Sequence, residues 1–222
     1  MQYKKQELGN TQGLAVSSDG QSGGLALLWK LETMVAVQGF SRWHINAHIT
    51  CNKTGIKWHM TSFYRHPVTS KREETWSILE SLGHANQLSW LCIGDYNGIV
   101  SQSEKSGGRL QPVRQLDRVR QAIHLYGFQD LGFVGSPFTW SKTDCVEGQM
   151  RIRLDRALAN NAWRLLFHGA AVHHISMSTS DHSMLSLHLR DDRHSRQKDK
   201  KLFRFEEMWL SDPRCSEVVQ DS

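Results

Sequence analysis

The 222-residue sequence lacks the segments that place a protein in a membrane or send it out of the cell. Its longest uninterrupted apolar run, at residues 25–29, is far shorter than the roughly 20 residues of a membrane span. The first thirteen residues contain basic side chains but no apolar stretch like that of a secretory signal. These two absences exclude a transmembrane protein and predict an intracellular one.

Cysteine motifs and a serine-hydrolase signature are also missing. The four cysteines are far apart and form no CxxC pair, which argues against a disulfide framework and against a zinc knuckle. His44 and His48 are four residues apart in a strand-like run, so they share no helical face. His173 and His174 have no acid or cysteine at the spacing of metal ligands, and we do not expect either pair to bind a metal. No GxSxG motif is present, so nucleophilic serine chemistry is not indicated.

The composition is typical of one globular domain with a sizeable core. Hydrophobic residues make up 39% of the chain and charged residues 22%, and eight Trp and eight Phe supply large side chains to bury. Lys and Arg outnumber Asp and Glu by 27 to 22, and the net charge of +5 favours a polyanionic partner. Residues 190–201 are mostly charged, which predicts a solvated linker.

From residue 23 onward, short strand-like runs alternate with a few helical patterns. Four runs, at residues 24–30, 34–40, 45–51 and 57–64, follow one another and predict antiparallel pairing. A helix is predicted next, with a capping box at Ser70 and Glu73 and a stop at Gly83. Because strands outnumber helices, we expect α/β or α+β layers in which helices cover the sheets. The other predicted elements are a central strand at 90–94, a helix at 112–126, short strands at 128–132, 137–141, 151–155, 170–175 and 184–190, and a helix from Asn160 to Phe167.

The first candidate site follows the buried strand at residues 90–94. Asp95 and Asn97 come two residues apart at the strand end, where α/β proteins build their sites, and Gly94 lets a ligand approach the backbone. An acid with a neutral hydrogen-bond donor suits phosphodiester hydrolysis, in which Asp95 would act as a base or a metal ligand. The alternative is that Asp95 and Asn97 only form an Asx turn.

Three further segments carry polar groups suited to the same chemistry. Asp181, an acid able to bind a cation, comes beside His182, an imidazole able to donate a proton. Asp155 ends a strand, and it either orients a distant imidazole or forms a salt bridge with a neighbouring arginine. Tyr64 and Arg65 end another strand with groups in reach of a phosphate. For each segment the alternative is a simple turn or an exposed surface.

Seven segments of the sequence carry a family pattern in their order and spacing. They lie between residues 22 and 210 and read SGGLALLWK, TSFYRHPVTSKREETWSILESL, WLCIGDYNGIVSQSEKSGG, GSPFTWSK, RIRLDRALANNAW, STSDHSMLSL and FRFEEMWL. Together they resemble the endonuclease domain of plant non-LTR (LINE-type) retrotransposons. That domain belongs to the endonuclease/exonuclease/phosphatase superfamily, and the resemblance implies a four-layered α/β sandwich of two mixed sheets flanked by helices.

The resemblance also implies an activity, a cofactor and a partner. The activity is hydrolysis of a nucleic-acid phosphodiester with a divalent metal, usually Mg²⁺, the partner is DNA, and the compartment is the nucleus. By the resemblance, Asp95 is the base that activates water, and Asn97 is a donor that positions the phosphate. Asp181 lies near the metal, and His182 contacts the scissile phosphate. Asp155 orients the His182 imidazole, and Tyr64 contacts the phosphate.

One part of the family pattern is not recognisable here. The domain of the resembled family opens with a strand carrying an Asn and a strand carrying a metal-binding Glu, and residues 1–21 match neither motif. We therefore expect residues 1–21 to be a divergent segment, residues 22–190 a partial, truncated domain lacking the first strands, and residues 191–222 a charged linker with the start of a following region. Because a hard cation needs several oxygen ligands, we expect weak metal binding and impaired catalysis.

The sequence leaves functions of different classes open. The first is a metal-dependent endonuclease that nicks DNA, impaired by the loss of the N-terminal Asn and Glu motifs. The second is a non-catalytic remnant that binds nucleic acid weakly through basic side chains. A third, a small-molecule phosphatase of the same superfamily, is disfavoured because the matching segments are of the retrotransposon type.

Overall fold

The structure is a computed structural model that describes residues 11–19, 22–52, 54–85, 88–144 and 148–189. The predicted linker at 190–201 and the segment FRFEEMWL lie outside these residues. No helix in the described ranges is long and apolar enough to cross a membrane. The helices are α1 (Arg72–Ala85), α2 (Val113–Leu125) and α3 (Asn161–Leu166), with 3-10 turns at Thr69–Lys71 and Gln102–Glu104. The strands are β1 (Thr11–Asp19), β2 (Ser22–Lys30), β3 (Thr33–Ser41), β4 (His44–Cys51), β5 (Lys57–Tyr64), β6 (Trp90–Asp95), β7 (Lys105–Ser106), β8 (Phe128–Asp130), β9 (Val134–Gly135), β10 (Trp140–Asp144), β11 (Gly148–Ile152), β12 (Asp155–Asn160), β13 (Ala171–Ile175) and β14 (Met184–His188).

A six-stranded sheet in the order β3-β4-β5-β6-β12-β8 forms the centre of the described structure. Strands β5 and β6 are parallel, whereas the other neighbours in this sheet are antiparallel. Smaller sheets join β1 with β2, β10 with β11 and β7, and β14 with β13 and β9. The predicted class, an α+β sandwich with mixed sheets and few helices, is confirmed.

Side chains alternate between the two faces of the central sheet, and each face has its own core. In β6, Trp90 and Cys92 face a cluster that contains Trp76 and Leu79 of α1 and Val119 of α2. The intervening residues of β6 pack instead with residues of β13, β14 and α3. Both faces of the strand that leads to Asp95 are therefore buried, as the continuous apolar run at 90–94 predicts.

The antiparallel succession predicted for the first four runs is correct for three of them. Strands β3, β4 and β5 pair in order, but β2 pairs with β1, a strand that the sequence did not predict. The boundaries predicted for α1 are also partly wrong. Ser70 lies inside a 3-10 turn rather than at a cap, and the helix continues through Gly83 to Ala85. Glu73 is bound by Arg118 of α2 and does not close a capping box.

The segment 151–155, predicted as one strand, passes instead from one sheet to another. Strand β11 ends at Ile152, and β12 begins at Asp155 in the central sheet. The cap predicted for α3 is confirmed, since the Asn160 side chain accepts a hydrogen bond from the Trp163 backbone N–H. The change of sheet places Asp155 at the very start of a central strand, next to the end of β6.

Candidate active site

Three of the predicted site residues lie side by side at one edge of the central sheet. Tyr64 pairs with Asp95 where β5 and β6 end, and Asp95 pairs with Asp155 where β12 begins. Neighbouring strands are about 4.8 Å apart, so the register alone brings the three residues together. The approach to Asp95 requires glycine, because Gly94 has φ 149° and a Cβ atom there would lie 1.9 Å from the Phe63 carbonyl oxygen.

His182 reaches this edge from the loop between β13 and β14. An isolated bridge pairs it with Trp140, and its Nδ1 atom lies 2.9 Å from Oδ2 of Asp155. This hydrogen bond is the main reason why the pKa of His182 is raised above its ordinary value. The sequence left two alternatives for Asp155, contact with a distant imidazole or a salt bridge with a neighbouring arginine. The structure shows the contact with the imidazole of His182, and no Lys or Arg forms a salt bridge with Asp155 within the described residues.

Asp95 and Asn97 form the Asx turn that was the alternative to a site, and the turn lies within the cluster. Oδ1 of Asp95 accepts from the Asn97 backbone N–H at 2.7 Å, and Oδ2 accepts from Asn97 Nδ2 at 3.0 Å. Asn97 Nδ2 also donates to the Arg65 carbonyl oxygen at 2.8 Å. Asn97 therefore orients the Asp95 carboxylate and ties it to the end of β5.

Burial and a neighbouring acid make the Asp95 carboxyl group unusually basic. Burial raises the pKa of Asp95 to about 7, and the nearby Asp155 carboxylate adds to the rise, while the hydrogen bond from Asn97 opposes it. A carboxyl group with a pKa near neutrality can take up a proton at neutral pH, as a general base must.

A cavity of about 330 Å³ opens in front of this cluster. It is lined by four of the predicted site residues, Tyr64, Asp95, Asn97 and His182. Arg65, Arg72 and Trp140 line it too, so the wall carries positive, negative and aromatic groups together. The arginines are suited to binding the phosphate group of a phosphate ester, and the tryptophan is suited to stacking on a flat organic group attached to it.

Asp95, Asp155 and His182 also fit a divalent cation. One ligand atom from each lies within 4.8 Å of the other two. Only 13% of the Asp155 side chain is exposed, so water screens the repulsion between the Asp95 and Asp155 carboxylates only in part. A bound cation would offset this repulsion. Mg²⁺ is commonly held by one or two carboxylates together with water and substrate phosphate, and this donor set is of that kind.

Asp181, the predicted metal ligand, lies beside this group and is not part of it. Its side chain is exposed, and its Oδ2 atom accepts a hydrogen bond from Trp140 Nε1 at 2.9 Å. It lines a second cavity, of about 180 Å³, which shares His182 and Trp140 with the first. Its charge contributes to the raised pKa of His182, so the carboxylate is close enough to act on the site.

Trp140 and Arg72 are among the residues of the cavity wall that the sequence analysis did not single out. Trp140 resembles any core tryptophan in the sequence, and its place is shown by its pairing with His182 and its hydrogen bond to Asp181. Arg72 begins α1 and donates from Nε to the His66 carbonyl oxygen and from Nη2 to that of Pro67. A basic residue at a helix start runs against the helix dipole, and this was the one available signal.

Comparison with known families agrees with this fold. The sequence profile of the Endonuclease/Exonuclease/phosphatase family matches residues 4–182. The chain therefore belongs to the endonuclease/exonuclease/phosphatase family, a class of hydrolases. No curated protein matches the chain in sequence.

Solved structures with the same fold include nucleases and phosphatases. The endonuclease domain of TRAS1, a telomere-specific non-LTR retrotransposon, has a TM-score of 0.63 at 14% identity, over 82% of this chain and 80% of that one. The 3′ phosphatase NExo from Neisseria, bound to a product DNA hairpin, has a TM-score of 0.56 at 13% identity, over 83% and 81%. A mannosyl-6-phosphatase from Bacteroides thetaiotaomicron has a TM-score of 0.54 at 14% identity, over 85% and 80%. At these sequence identities the likeness shows a shared fold only.

Proposed function

We propose that this protein is a metal-dependent phosphodiesterase that cleaves DNA. The observation that carries the proposal is the convergence of Asp95, Asp155 and His182, whose ligand atoms lie within 4.8 Å of one another beside the cavity. These residues come from β6, from the start of β12 and from the loop after β13, so no local turn accounts for their meeting. An acid pair with an imidazole is the equipment of phosphoester hydrolysis.

Each residue has a distinct role in this proposal. Asp95 accepts the proton of the attacking water, and Asn97 holds the carboxylate in place. His182, protonated more readily because of Asp155, donates a hydrogen bond to a phosphate oxygen from Nε2, the nitrogen that Asp155 leaves free. The Tyr64 hydroxyl contacts the phosphate from the neighbouring strand.

The proposed cofactor is Mg²⁺. Asp95 and Asp155 would hold the ion, and Asp181 is proposed as a further ligand because it adjoins His182. When bound, the ion would neutralise negative charge that develops on the phosphate. The described cluster offers only two carboxylates, so we propose that the ion binds weakly and that activity is low.

The proposed substrate is DNA and not a small phosphate ester. The net charge of +5 favours a polyanion, and two arginines line the cavity together with the acids. The TRAS1 domain is an endonuclease, and the Neisseria enzyme was solved with a DNA hairpin. The seven segments further support an origin in a plant non-LTR retrotransposon and a role in the nucleus, and the divisions at residues 21 and 190 belong to the same proposal.

Nicking of supercoiled plasmid tests the proposal directly. We expect slow conversion to the open circle with Mg²⁺, none with EDTA, and a loss of about 10² to 10⁴ in rate for Asp95→Ala or His182→Ala. Asp117→Ala is the control, because Asp117 is exposed and pairs with Arg120 on α2. Nicking that both site variants retain would contradict the proposal. DNA binding without any Mg²⁺-dependent cleavage would favour the non-catalytic alternative.

A further inference from the structure

Arg65 is a buried cation with few partners. Its residue is 3% exposed, and its Nη1 atom donates to the Tyr96 carbonyl oxygen at 3.2 Å. Its Nε atom is buried without a hydrogen-bond partner, and no carboxylate forms a salt bridge with it within the described residues. Most buried arginines are paired, since an unpaired buried charge is costly.

The surroundings hold the guanidinium in place without neutralising it. The Trp76 ring lies 4.6 Å from the guanidinium carbon, a distance at which a cation is attracted to the ring. Glu73, an acid on the same helix as Trp76, is already bound by Arg118 through two nitrogens. Burial lowers the pKa of Arg65 to about 9, which still leaves the group charged at neutral pH.

The backbone is shaped to place this cation at the cavity. A Cβ atom on Gly98 would lie 2.5 Å from Arg65 Nη1, so the absence of a side chain at residue 98 makes room for the guanidinium. Arg65 and Gly98 both line the cavity that Asp95 and His182 line. Arg72 lies in the same wall, with two nitrogens engaged by backbone carbonyl oxygens.

We infer that Arg65 is a phosphate-binding residue, which pairs with a phosphate group of the nucleic-acid strand in this cavity. A phosphate would supply the directly bonded anion that no carboxylate provides within the described residues, and a guanidinium is suited to donating to its oxygens. The inference rests on the proposed function, because it names the group that this site recognises. It assigns Arg65 a part in binding and Asp95 and His182 their part in cleavage.

The salt dependence of DNA binding tests whether Arg65 neutralises a phosphate. Binding of a short duplex to the full chain is measured in EDTA at several salt concentrations for the wild type, Arg65→Met and Arg164→Met. For Arg65→Met we expect the slope of log K against log[salt] to shrink by about 0.9, the value of one phosphate contact. Arg164 is the matched control, since it is exposed on α3, which follows the end of β12 far from Asp155.

A scan with neutral methylphosphonates locates the phosphate. In the wild type, a methylphosphonate at one position should weaken DNA binding by about tenfold. In Arg65→Met, the methylphosphonate at that position should reduce the affinity little, while those at the other positions should reduce it as much as in the wild type. A second pair of duplexes, with and without a 3′-terminal phosphate, shows whether the recognised group is an internal diester or a chain end. Dependence on Arg65 at either place supports the inference.

Outcomes that overturn the inference differ from those that overturn the function. A wild type that does not bind DNA at all contradicts the proposed function. A wild type that binds, with an equal slope and an equal positional cost in Arg65→Met, overturns the role of Arg65 alone. If Arg65→Met does not fold, Arg65→Lys decides the question. An ammonium lacks the forked donors, so the positional cost should shrink there too, and a cost equal to that of the wild type overturns the inference.

Discussion

Nδ1 of His182 lies 2.9 Å from Oδ2 of Asp155, although 27 residues separate them in the chain. Asp155 is fixed by its pairing with Asp95 in the central sheet, and His182 is fixed by its bridge to Trp140. The imidazole is thus held by two sheets at once. An acid that orients an imidazole in this way sets which ring nitrogen is left for the substrate.

Asp155 and His182 should act as one unit in catalysis. We expect Asp155→Asn and His182→Ala each to lower the rate of plasmid nicking by about 10² to 10⁴, since each removes the oriented proton donor. The double variant should lose little more than the worse single variant, because residues that act together are not additive. Nicking rates of all three variants, measured at equal concentration, test this.

Two results would contradict this coupling. Losses that multiply in the double variant would mean that Asp155 and His182 act independently. An Asp155→Asn variant as active as the wild type would show that the hydrogen bond does not serve catalysis. Thermal melting of each variant verifies that the comparison is between folded proteins.

Mg²⁺ should stabilise the folded protein through Asp95. A ligand that binds only the folded state raises the melting temperature, and the raise grows with concentration. We expect a rise that needs millimolar Mg²⁺ in the wild type, none in Asp95→Asn, and a smaller one in Asp181→Asn. The melting temperature is measured from 0 to about 20 mM MgCl₂, with Asp117→Asn as the control and EDTA to reverse the effect. An unchanged rise in Asp95→Asn would place the ion elsewhere.

The sequence predicted those parts of the fold that depend on local patterns. The apolar run at 90–94, the helix predicted at 112–126 and the cap at Asn160 are local signals, and the structure confirms each. The residues at 151–155 alternate like one strand, but the chain changes sheets there, at the point where Arg153 is bound by Glu104 and Asp130. Glu104 is 49 residues from Arg153 in the chain, so this ion pair cannot be predicted from the local pattern of apolar and polar residues.

The candidate site could be predicted only where residues cluster in the sequence. Asp95 with Asn97 and Asp181 with His182 are such clusters, and the family resemblance linked them to Asp155 and Tyr64. Asp181 accepts a hydrogen bond from Trp140, a residue 41 positions away, and it is not one of the three grouped donors. A contact over that distance in the chain was not foreseeable from the local sequence. Partners that meet through tertiary structure must be read from the fold.

The ion pairs around Glu104 should contribute far more stability than an exposed pair. Its carboxylate binds Arg153 at 3.1 Å and Arg156 at 3.0 Å, and the Arg156 side chain is fully buried. Glu104→Gln leaves the two buried cations with a single carboxylate, that of Asp130, so one positive charge is no longer balanced. We therefore expect a loss of about 3 to 5 kcal/mol in the free energy of unfolding. Glu73→Gln, which breaks the exposed pair with Arg118, should cost about 1 kcal/mol or less.

Urea unfolding of the two variants measures this difference. Equal effects would mean that the buried arginines find other partners, and would contradict the importance of the pairs. Glu104 also accepts a hydrogen bond from the Val100 backbone N–H at 2.7 Å. A Glu104→Asp variant keeps the charge on a shorter side chain, so it shows how much of the stability depends on the length of this side chain.

His59 should make the protein sensitive to mild acid. Its ring is buried in the central sheet, stacks on Trp90 with centroids 5.1 Å apart, and bonds through Nε2 to Asn46. Burial lowers the pKa of His59 from 6.5 to about 4, and the nearby His48 adds to this. Between these two values the unfolded chain binds a proton that the folded protein does not, so stability falls as the pH falls.

The loss attributable to His59 should be on the order of 2 to 3 kcal/mol between about pH 7 and pH 4.5. Urea unfolding at several pH values measures it as the difference between the wild type and His59→Gln. That variant is expected to be less stable at pH 7, because it loses the stacking on Trp90, but to lose less on acidification. His124→Gln is the control, since His124 is exposed on α2 and should leave the pH dependence unchanged. An identical acid loss in His59→Gln and the wild type would show that other groups cause it, because the proton uptake argued here requires the imidazole of residue 59.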